Sequence, residues 1–397
     1  MMNRRRVLWS GAGIAAIIGA AGGAWVLSLP LPRPAAEPPP IPAEETDAAL
    51  RGLKPPKRQR PVIAIVGIDD ATELTDYLMP YGILRRSDVA DVRLLATQPG
   101  PVKLFPALTV EPHATIAQFD AEYPQGADYV IVPAMSRDDD PAAIAWLRTQ
   151  AARGATIVGI CAGAKIVGAA GLLDGRRATT HWYYLDGLRK KHPAMRYVAD
   201  RRIVVDTGVA TTTGITASMP MALTLIEAIA GRGKAESVAR ELGLARWDTR
   251  HDSGAFRFTR PFALTAIANT AAFWNREQLG VELTPGIDEV SLALVADAWS
   301  RTYRSRALTF SATGGAKETR NGVRVLPDRV TAGWSPTHAL PPVGVRQPAV
   351  ALDEALAGIA DRYGPRTARF VAMQLEYPTP ASGRVHPAAS KSMSMRQ

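Results

Sequence analysis

The chain is almost without cysteine: there is one, Cys161, in 397 residues. That excludes an intramolecular disulfide framework and any metal site built from several thiolates. No metal and no cofactor is expected. A lone thiol is most often a small buried hydrophobe, so Cys161 needs a context before it means more. Acidic residues are in deficit too, 37 Asp+Glu against 47 Lys+Arg, a formal net charge of +10. The imbalance is uneven. Residues 1–60 hold nine basic residues (Arg4, Arg5, Arg6, Arg33, Arg51, Lys54, Lys57, Arg58 and Arg60) against Glu37, Glu44, Glu45 and Asp47, so half the excess lies there. What remains is too thin for a nucleic-acid surface, and no nucleic-acid partner is expected. Hydrophobic residues at 47% and charged residues at 21% exclude wholesale disorder.

Charge is absent altogether from Val7 to Leu29. As a helix that run would span about 34 Å, enough for a bilayer core. Asn3-Arg4-Arg5-Arg6-Val7-Leu8 also fits a twin-arginine export signal. Residues 1–29 are therefore expected to be a transmembrane or twin-arginine signal segment, contacting the membrane through residues 7–29. The arginines before the run place the N-terminus inside, and the globular part on the periplasmic side of the inner membrane or exported. Residues 30–60 carry Pro30, Pro32, Pro34, Pro38, Pro39, Pro40, Pro42, Pro55 and Pro56 and read as a Pro-rich linker, a semi-stiff stalk.

Beyond the stalk, short apolar runs alternate with helical stretches. Val62–Val66, Val92–Ala96, Tyr129–Val132, Ala155–Ile160 and Ile203–Val205 read as strands. Leu74–Arg86, Pro141–Arg153, Ala162–Gly171 and Met219–Ala230 read as helices, and Leu173–Thr179 as a return to the sheet. The alternation predicts an α/β fold with a doubly wound parallel sheet. Cys161 falls between a buried strand and a helix, in Ile160-Cys161-Ala162-Gly163-Ala164. Small residues there suit a sharp turn that lifts the side chain over the carboxyl edge of the sheet. A helix N-terminus at that point is expected to lower the thiol pKa, and the N–H groups of Ala162 and Gly163 to hold an oxyanion.

Three stretches together resemble the ThiJ/PfpI family of the class I glutamine-amidotransferase-like superfamily: Glu73–Leu84, Gly159–Ala164, and Ala170-Gly171-Leu172-Leu173-Asp174-Gly175-Arg176-Arg177-Ala178-Thr179-Thr180-His181-Trp182. The resemblance covers about residues 61–231 and implies a flavodoxin-like sheet. It places the family's nucleophile on Cys161 and its carboxylic acid on Asp76, with Glu73 as the nearby alternative. The assisting histidine falls on His181. Ala162 stands where the protease branch has histidine and isocyanide hydratases have threonine, which disfavours a protease and weakens the isocyanide hydratase reading too. Several relatives dimerise, so a homodimer is an expectation by analogy.

Residues 232–377 carry a partial repeat of the first domain, a smaller, degenerate second α/β unit: Gly67–Asp70 returns as Gly286–Glu289, and Ala107–Pro112 as Gly322–Pro327. Arg246–Ser253, with His251 and Asp252, reads as a site-rim loop. Glu236–Leu244 and Val350–Tyr363 are expected helices, Ala368–Leu375 a strand, and residues 378–397 a disordered tail. Three functions stay open. One is a cysteine-dependent hydrolase or lyase acting on a 2-oxoaldehyde, its adducts or an isocyanide. Another is a non-catalytic ligand- or redox-sensing module, similar to the sensor halves of AraC-type regulators. The last is a scaffold at the envelope.

Overall fold

Val62–Gly67 is apolar throughout, so a strand there has no face to give to water. It forms β1, and all six residues are buried. The structure is a computed structural model, and it describes residues 22–33, 36–244, 247 and 249–378. The elements run α1 (Ala43–Gly52), β1 (Val62–Gly67), β2 (Asp70–Glu73), α2 (Leu74–Ser87), β3 (Asp91–Ala96), β4 (Val102–Phe105), β5 (Thr109–Glu111) and β6 (Ala114–Thr115). Next come α3 (Ile116–Glu122), β7 (Tyr129–Val132), α4 (Pro141–Ala152), β8 (Thr156–Gly159) and α5 (Gly163–Ala169). β9 (Arg177–Ala178), α6 (Leu185–Lys191), β10 (Arg196–Tyr197), β11 (Ile203–Asp206), β12 (Val209–Thr212), α7 (Ser218–Ala230) and α8 (Arg232–Glu241) follow. The remainder is α9 (Arg260–Ala271), β13 (Glu277–Glu282), α10 (Glu289–Ser300), β14 (Ser305–Ser311), β15 (Lys317–Glu318), β16 (Arg324–Leu326), β17 (Arg329–Val330), α11 (Pro348–Tyr363) and α12 (Pro365–Leu375).

Seven strands make the principal sheet, in the order β11-β12-β8-β7-β1-β3-β6. Every pairing is parallel except β11 on β12. The α/β expectation therefore holds. The period of two divides β1 between two cores: Ile63 and Ile65 join one cluster, Val62, Ala64 and Val66 the other. From β1 the chain first winds to β3 and β6, then crosses back to β7 and β8. That reversal opens a crevice at the carboxyl ends of β1, β7 and β8.

A second, three-stranded parallel sheet has the order β13-β14-β17, and a five-stranded mixed sheet, β15-β16-β5-β4-β2, ties the two regions together. α10 is buried along almost its whole length and packs against α2. Gly82 of α2 is needed for that approach, since a Cβ there would stand 2.7 Å from Val290 Cγ2.

Several expectations require correction. Leu173–Thr179 does not rejoin the principal sheet: β9 pairs with β10 in a separate ribbon. Ala368–Leu375 lies in a helix, α12, because Pro365 opens it and Thr367, Phe370, Val371 and Leu375 bury at helical spacing. The stalk is not free. Leu53 is a core residue, Glu45 pairs with Arg177 and Arg201 at 3.1 and 2.9 Å, and the Asp128 carboxylate accepts the N–H groups of Lys57, Arg58 and Val62 at 3.1, 3.1 and 2.9 Å. Residues 43–60 thus lie on the body rather than hold it away.

The membrane-spanning or signal segment, with its periplasmic body, is also corrected. Among the described residues no helix is long and apolar enough to cross a membrane. Residues 1–21, most of the expected span, and 379–397, most of the expected tail, lie outside the described residues. Of the expected span, the described residues 22–28 are helical and rest on the body. Trp25 sits 5.8 Å from the ring of Phe258. Just after the helix, the Arg260 N–H donates to Pro30 O at 2.9 Å.

Candidate functional site

The chain reverses between β8 and α5, and Cys161 stands at the reversal with φ of 55°. A non-glycine residue held in that left-handed region costs roughly 1–3 kcal/mol and persists only where its surroundings over-determine it. They do so here. The Cys161 N–H donates to Thr212 Oγ1 at 3.2 Å, and the Thr180 hydroxyl donates to Cys161 O at 2.8 Å. The next turn passes so close to β7 that a Cβ on Gly163 would lie 2.0 Å from Val132 O.

Helix α2 brings the expected acids beneath the elbow. Asp76 is fully buried; its Oδ2 accepts the Ala134 N–H at 3.1 Å, while Oδ1 has no hydrogen-bond partner. Burial, and secondly the charge of Glu73, push its pKa well above the usual carboxylate range. Glu73, the residue before α2, is held otherwise. Its Oε2 accepts from Arg301 Nη2 at 2.7 Å and its Oε1 from the Thr75 hydroxyl at 3.1 Å. Arg301 follows α10 and also clasps both oxygens of Asp297 at 2.8 and 2.9 Å. Two buried carboxyl groups thus share one cation, and Asp76, which does not touch it, lies beside them; burial raises the pKa of Asp297 as well, to about 7.

The other side of the elbow is closed by the residue following α12. Glu376 is buried and accepts the N–H groups of Trp182 at 2.8 Å and Gly214 at 2.7 Å. His181 accepts the Tyr183 N–H on Nδ1 at 3.2 Å, so its Nε2 carries the proton and donates to Gln374 O at 3.0 Å. Burial lowers its pKa. Both nitrogens are occupied by backbone, so His181 fastens α12 to the elbow and is not placed as a proton carrier for the sulfur. His251 lies in the wall, its Nε2 3.5 Å from Glu376 Oε2 and its ring stacked on Phe256. Beyond Thr180 and Glu376 is a cavity of about 300 Å³ walled by Trp182, Tyr183, Tyr197, Phe256 and Phe258.

The elbow does not lower the thiol pKa as expected. Cys161 is 4% exposed. Burial raises its pKa well above the ordinary thiol value, and the charges of Asp76, Glu73 and Glu376 add to the effect; the Ala162 N–H works the other way. Helix α5 has 7 residues, too short to offset three carboxyl groups. Of the two amides expected to hold an oxyanion, that of Gly163 is engaged, donating to Ile160 O at 2.7 Å, and only that of Ala162 faces the sulfur. Among the described residues no three His, Cys, Asp or Glu side chains gather as metal ligands would.

Sequence reasoning missed Arg301 and Glu376. Arg301 carries a weak signal, an Arg four residues after Asp297 on an apolar helix. Glu376 carries none, since its span reads locally as a strand.

Residues 62–228 match the model of the DJ-1/PfpI family. The isonitrile hydratase of Pseudomonas putida is 33% identical over 175 residues, 43% of this chain and 73% of that protein. The HTH-type transcriptional regulator CdhR of Pseudomonas aeruginosa is 37% identical over 112 residues, 28% of this chain but only 33% of the regulator. Among solved structures, a mutant of a DJ-1 superfamily protein from Salmonella typhimurium aligns with TM-score 0.42 and 25% identity, over 47% of this chain and 100% of that one. With a regulator among the relatives, the exclusion of nucleic acid drawn from charge is not upheld.

Proposed function

The chain belongs to the DJ-1/PfpI family, and from that premise we propose that Cys161 is the nucleophile of a hydratase for a small reactive carbon, of the isonitrile class. The observation that carries the reading is a strained thiol, φ 55°, within reach of the charge of a fully buried acid whose Oδ1 has no hydrogen-bond partner. An isonitrile carbon must gain both a proton and a nucleophile. Burial biases both the thiol and Asp76 toward their protonated forms, so each can supply a proton. The sulfur–carbon bond forms as one of these protons goes to the carbon, giving a thioimidate. Water then adds across the carbon–nitrogen double bond, one of its protons going to nitrogen; the carbon–sulfur bond breaks as the carbonyl forms, and the other proton returns to the Cys161–Asp76 pair. The product is the N-substituted formamide, the substrate plus one water. The Ala162 N–H faces the developing charge, and Arg301 holds Glu73 beside the site. The P. putida relative supports this choice of substrate class.

A second reading has one observation in its favour. Cys161 is 4% exposed and does not line the aromatic cavity, which suits a sensor whose thiol reports a ligand or oxidant rather than turning substrate over. Incubation with a small alkyl isonitrile separates the readings. Hydration predicts catalytic formamide, lost in Cys161→Ser. Formamide release undiminished in that variant overturns the mechanism. Selective sulfinate formation at Cys161 under peroxide, with no isonitrile consumed, establishes the sensor.

A further inference from the structure

Most elements of the second region follow those of the first at one separation, and β14 follows β3 at one residue less. β1 begins at Val62 and β13 at Glu277, 215 residues later; α2 and α10 begin at Leu74 and Glu289, β4 and β15 at Val102 and Lys317, β5 and β16 at Thr109 and Arg324, β6 and β17 at Ala114 and Arg329, each again 215 residues apart. Strand order repeats too, β1-β3-β6 against β13-β14-β17. Leu95 opposite Ala114 returns as Phe310 opposite Arg329. The likeness of Gly67–Asp70 to Gly286–Glu289 does not mark the correspondence, because Gly67 ends a strand and Gly286 precedes a helix.

The two units also meet symmetrically. β5 and β16 pair antiparallel, with Val110 opposite Val325, its own counterpart, and Glu111–Arg324 and Thr109–Leu326 as mirror pairs. α2 and α10 pack together, and the acid before each helix reaches the arginine at the end of the other. Glu73 pairs with Arg301, and Asp288, its counterpart, pairs with Arg86, the counterpart of Arg301. This is the reciprocity of a two-fold interface, in which residue i meets j and j meets i. The copies differ in chemistry. The position of Asp76 is Ser291 in the second unit, and after β17 the chain leaves for α11 with no strand, elbow and cysteine.

We propose that residues 277–330 are a second, chemically empty copy of residues 62–115 that occupies, within one chain, the face a dimer partner would take, and that Arg301 of this copy is a positioning residue, holding Glu73 across the two-fold and setting its cation beside the acids of the elbow. The link to the reaction rests on the hydratase reading; the positioning itself does not. The groups facing Asp76 are Glu73 before its own helix, Arg301 and Asp297 from α10, the Ala134 N–H after β7, and Cys161 from the elbow. Cys161 in turn faces Glu376 and Tyr184.

The internal symmetry supplies its own control. The Asp76 carboxyl is titrated by carbon NMR of the full chain labelled at aspartate, with Asp76→Asn assigning the signal. Arg301→Ala removes a nearby cation and moves the midpoint up by about one pH unit. Arg301→Lys restores most of it, and Glu73→Gln moves it down. Arg86→Ala, which breaks the mirror pair with Asp288 at the end of the two-fold where Ser291 stands in place of Asp76, leaves it in place. An unmoved midpoint in Arg301→Ala, or an equal movement in Arg86→Ala, overturns the proposal. Should Arg301→Ala fail to fold, Glu73→Gln against Arg86→Lys makes the same comparison. No substrate is needed, so a chain that hydrates no isonitrile still answers the question.

Discussion

Gly163→Ala is the sharpest test of why the elbow has its sequence. The added Cβ would stand 2.0 Å from Val132 O and 2.9 Å from Pro133 O, both backbone atoms at the end of β7. A comfortable carbon–oxygen contact is about 3.3 Å, so the elbow and β7 must part by about 1 Å. Overpacking of this kind costs typically 1–3 kcal/mol, occasionally more, when neighbours can yield. Here the neighbours belong to a buried central strand. Alanine offsets roughly 1 kcal/mol through helix propensity and a less disordered unfolded chain. Taking the upper end of that range, a net loss of about 2 kcal/mol follows, roughly 4 °C in Tm at this chain size. Gly168→Ala, in the same helix, is the matched comparison: its Cβ meets only the ring of His192 at 2.8 Å, a side chain able to swing away. That substitution should be neutral or stabilising. Thermal unfolding of both variants decides the matter. Equal effects in the two, or a Gly163→Ala protein within about 2 °C of the parent, would refute the close-approach reasoning.

Other outcomes follow from the same geometry. With the only thiol in the chain pushed up by burial and by Asp76, Glu73 and Glu376, the thiolate absorbance attributable to Cys161 should appear only in strongly alkaline solution, and Asp76→Asn should bring it to lower pH. Asp76 has a raised folded-state pKa, so its contribution to stability is complete below the unfolded carboxyl value, about 4, and is lost as pH rises through the folded value. Denaturant titrations should therefore find Asp76→Asn gaining on the parent from pH 5 to pH 8; a constant difference would contradict the sign. Glu376→Ala leaves the Trp182 and Gly214 N–H groups without their acceptor, which should cost about 2–4 kcal/mol and speed Cys161 alkylation. Unchanged alkylation would show that Glu376 does not guard the thiol.

The parts of this molecule that local pattern specifies were readable before any coordinates. β1 is a buried run with one outcome, and Cys161 announces itself because small residues on its C-terminal side permit a turn few other sequences allow. Asp76 was found by resemblance, and the structure adds why it differs from Glu73: one acid touches Arg301 and the other does not. What could not be read is long-range. His181 is locked by a carbonyl 193 residues away, and Arg301 reaches Glu73 across 228. The thiol pKa was misjudged for the same reason, since the helix expected to lower it is local and the carboxyl groups that raise it are not. The stalk failed because proline composition says nothing of Leu53 finding a core position or of Asp128 gathering three amides.

Glu376 is synthesised more than two hundred residues after Cys161. At about 5–20 residues per second that is roughly ten to forty seconds of translation. During that interval the elbow can form with its strand and helix, but the carboxylate that receives the Trp182 and Gly214 amides does not yet exist. The nascent chain therefore carries a thiol with one less negative neighbour and an uncovered flank. Its chemical vulnerability is greatest on the ribosome and declines once α12 arrives, so any oxidant or electrophile present at translation meets a different residue from the one in the finished protein.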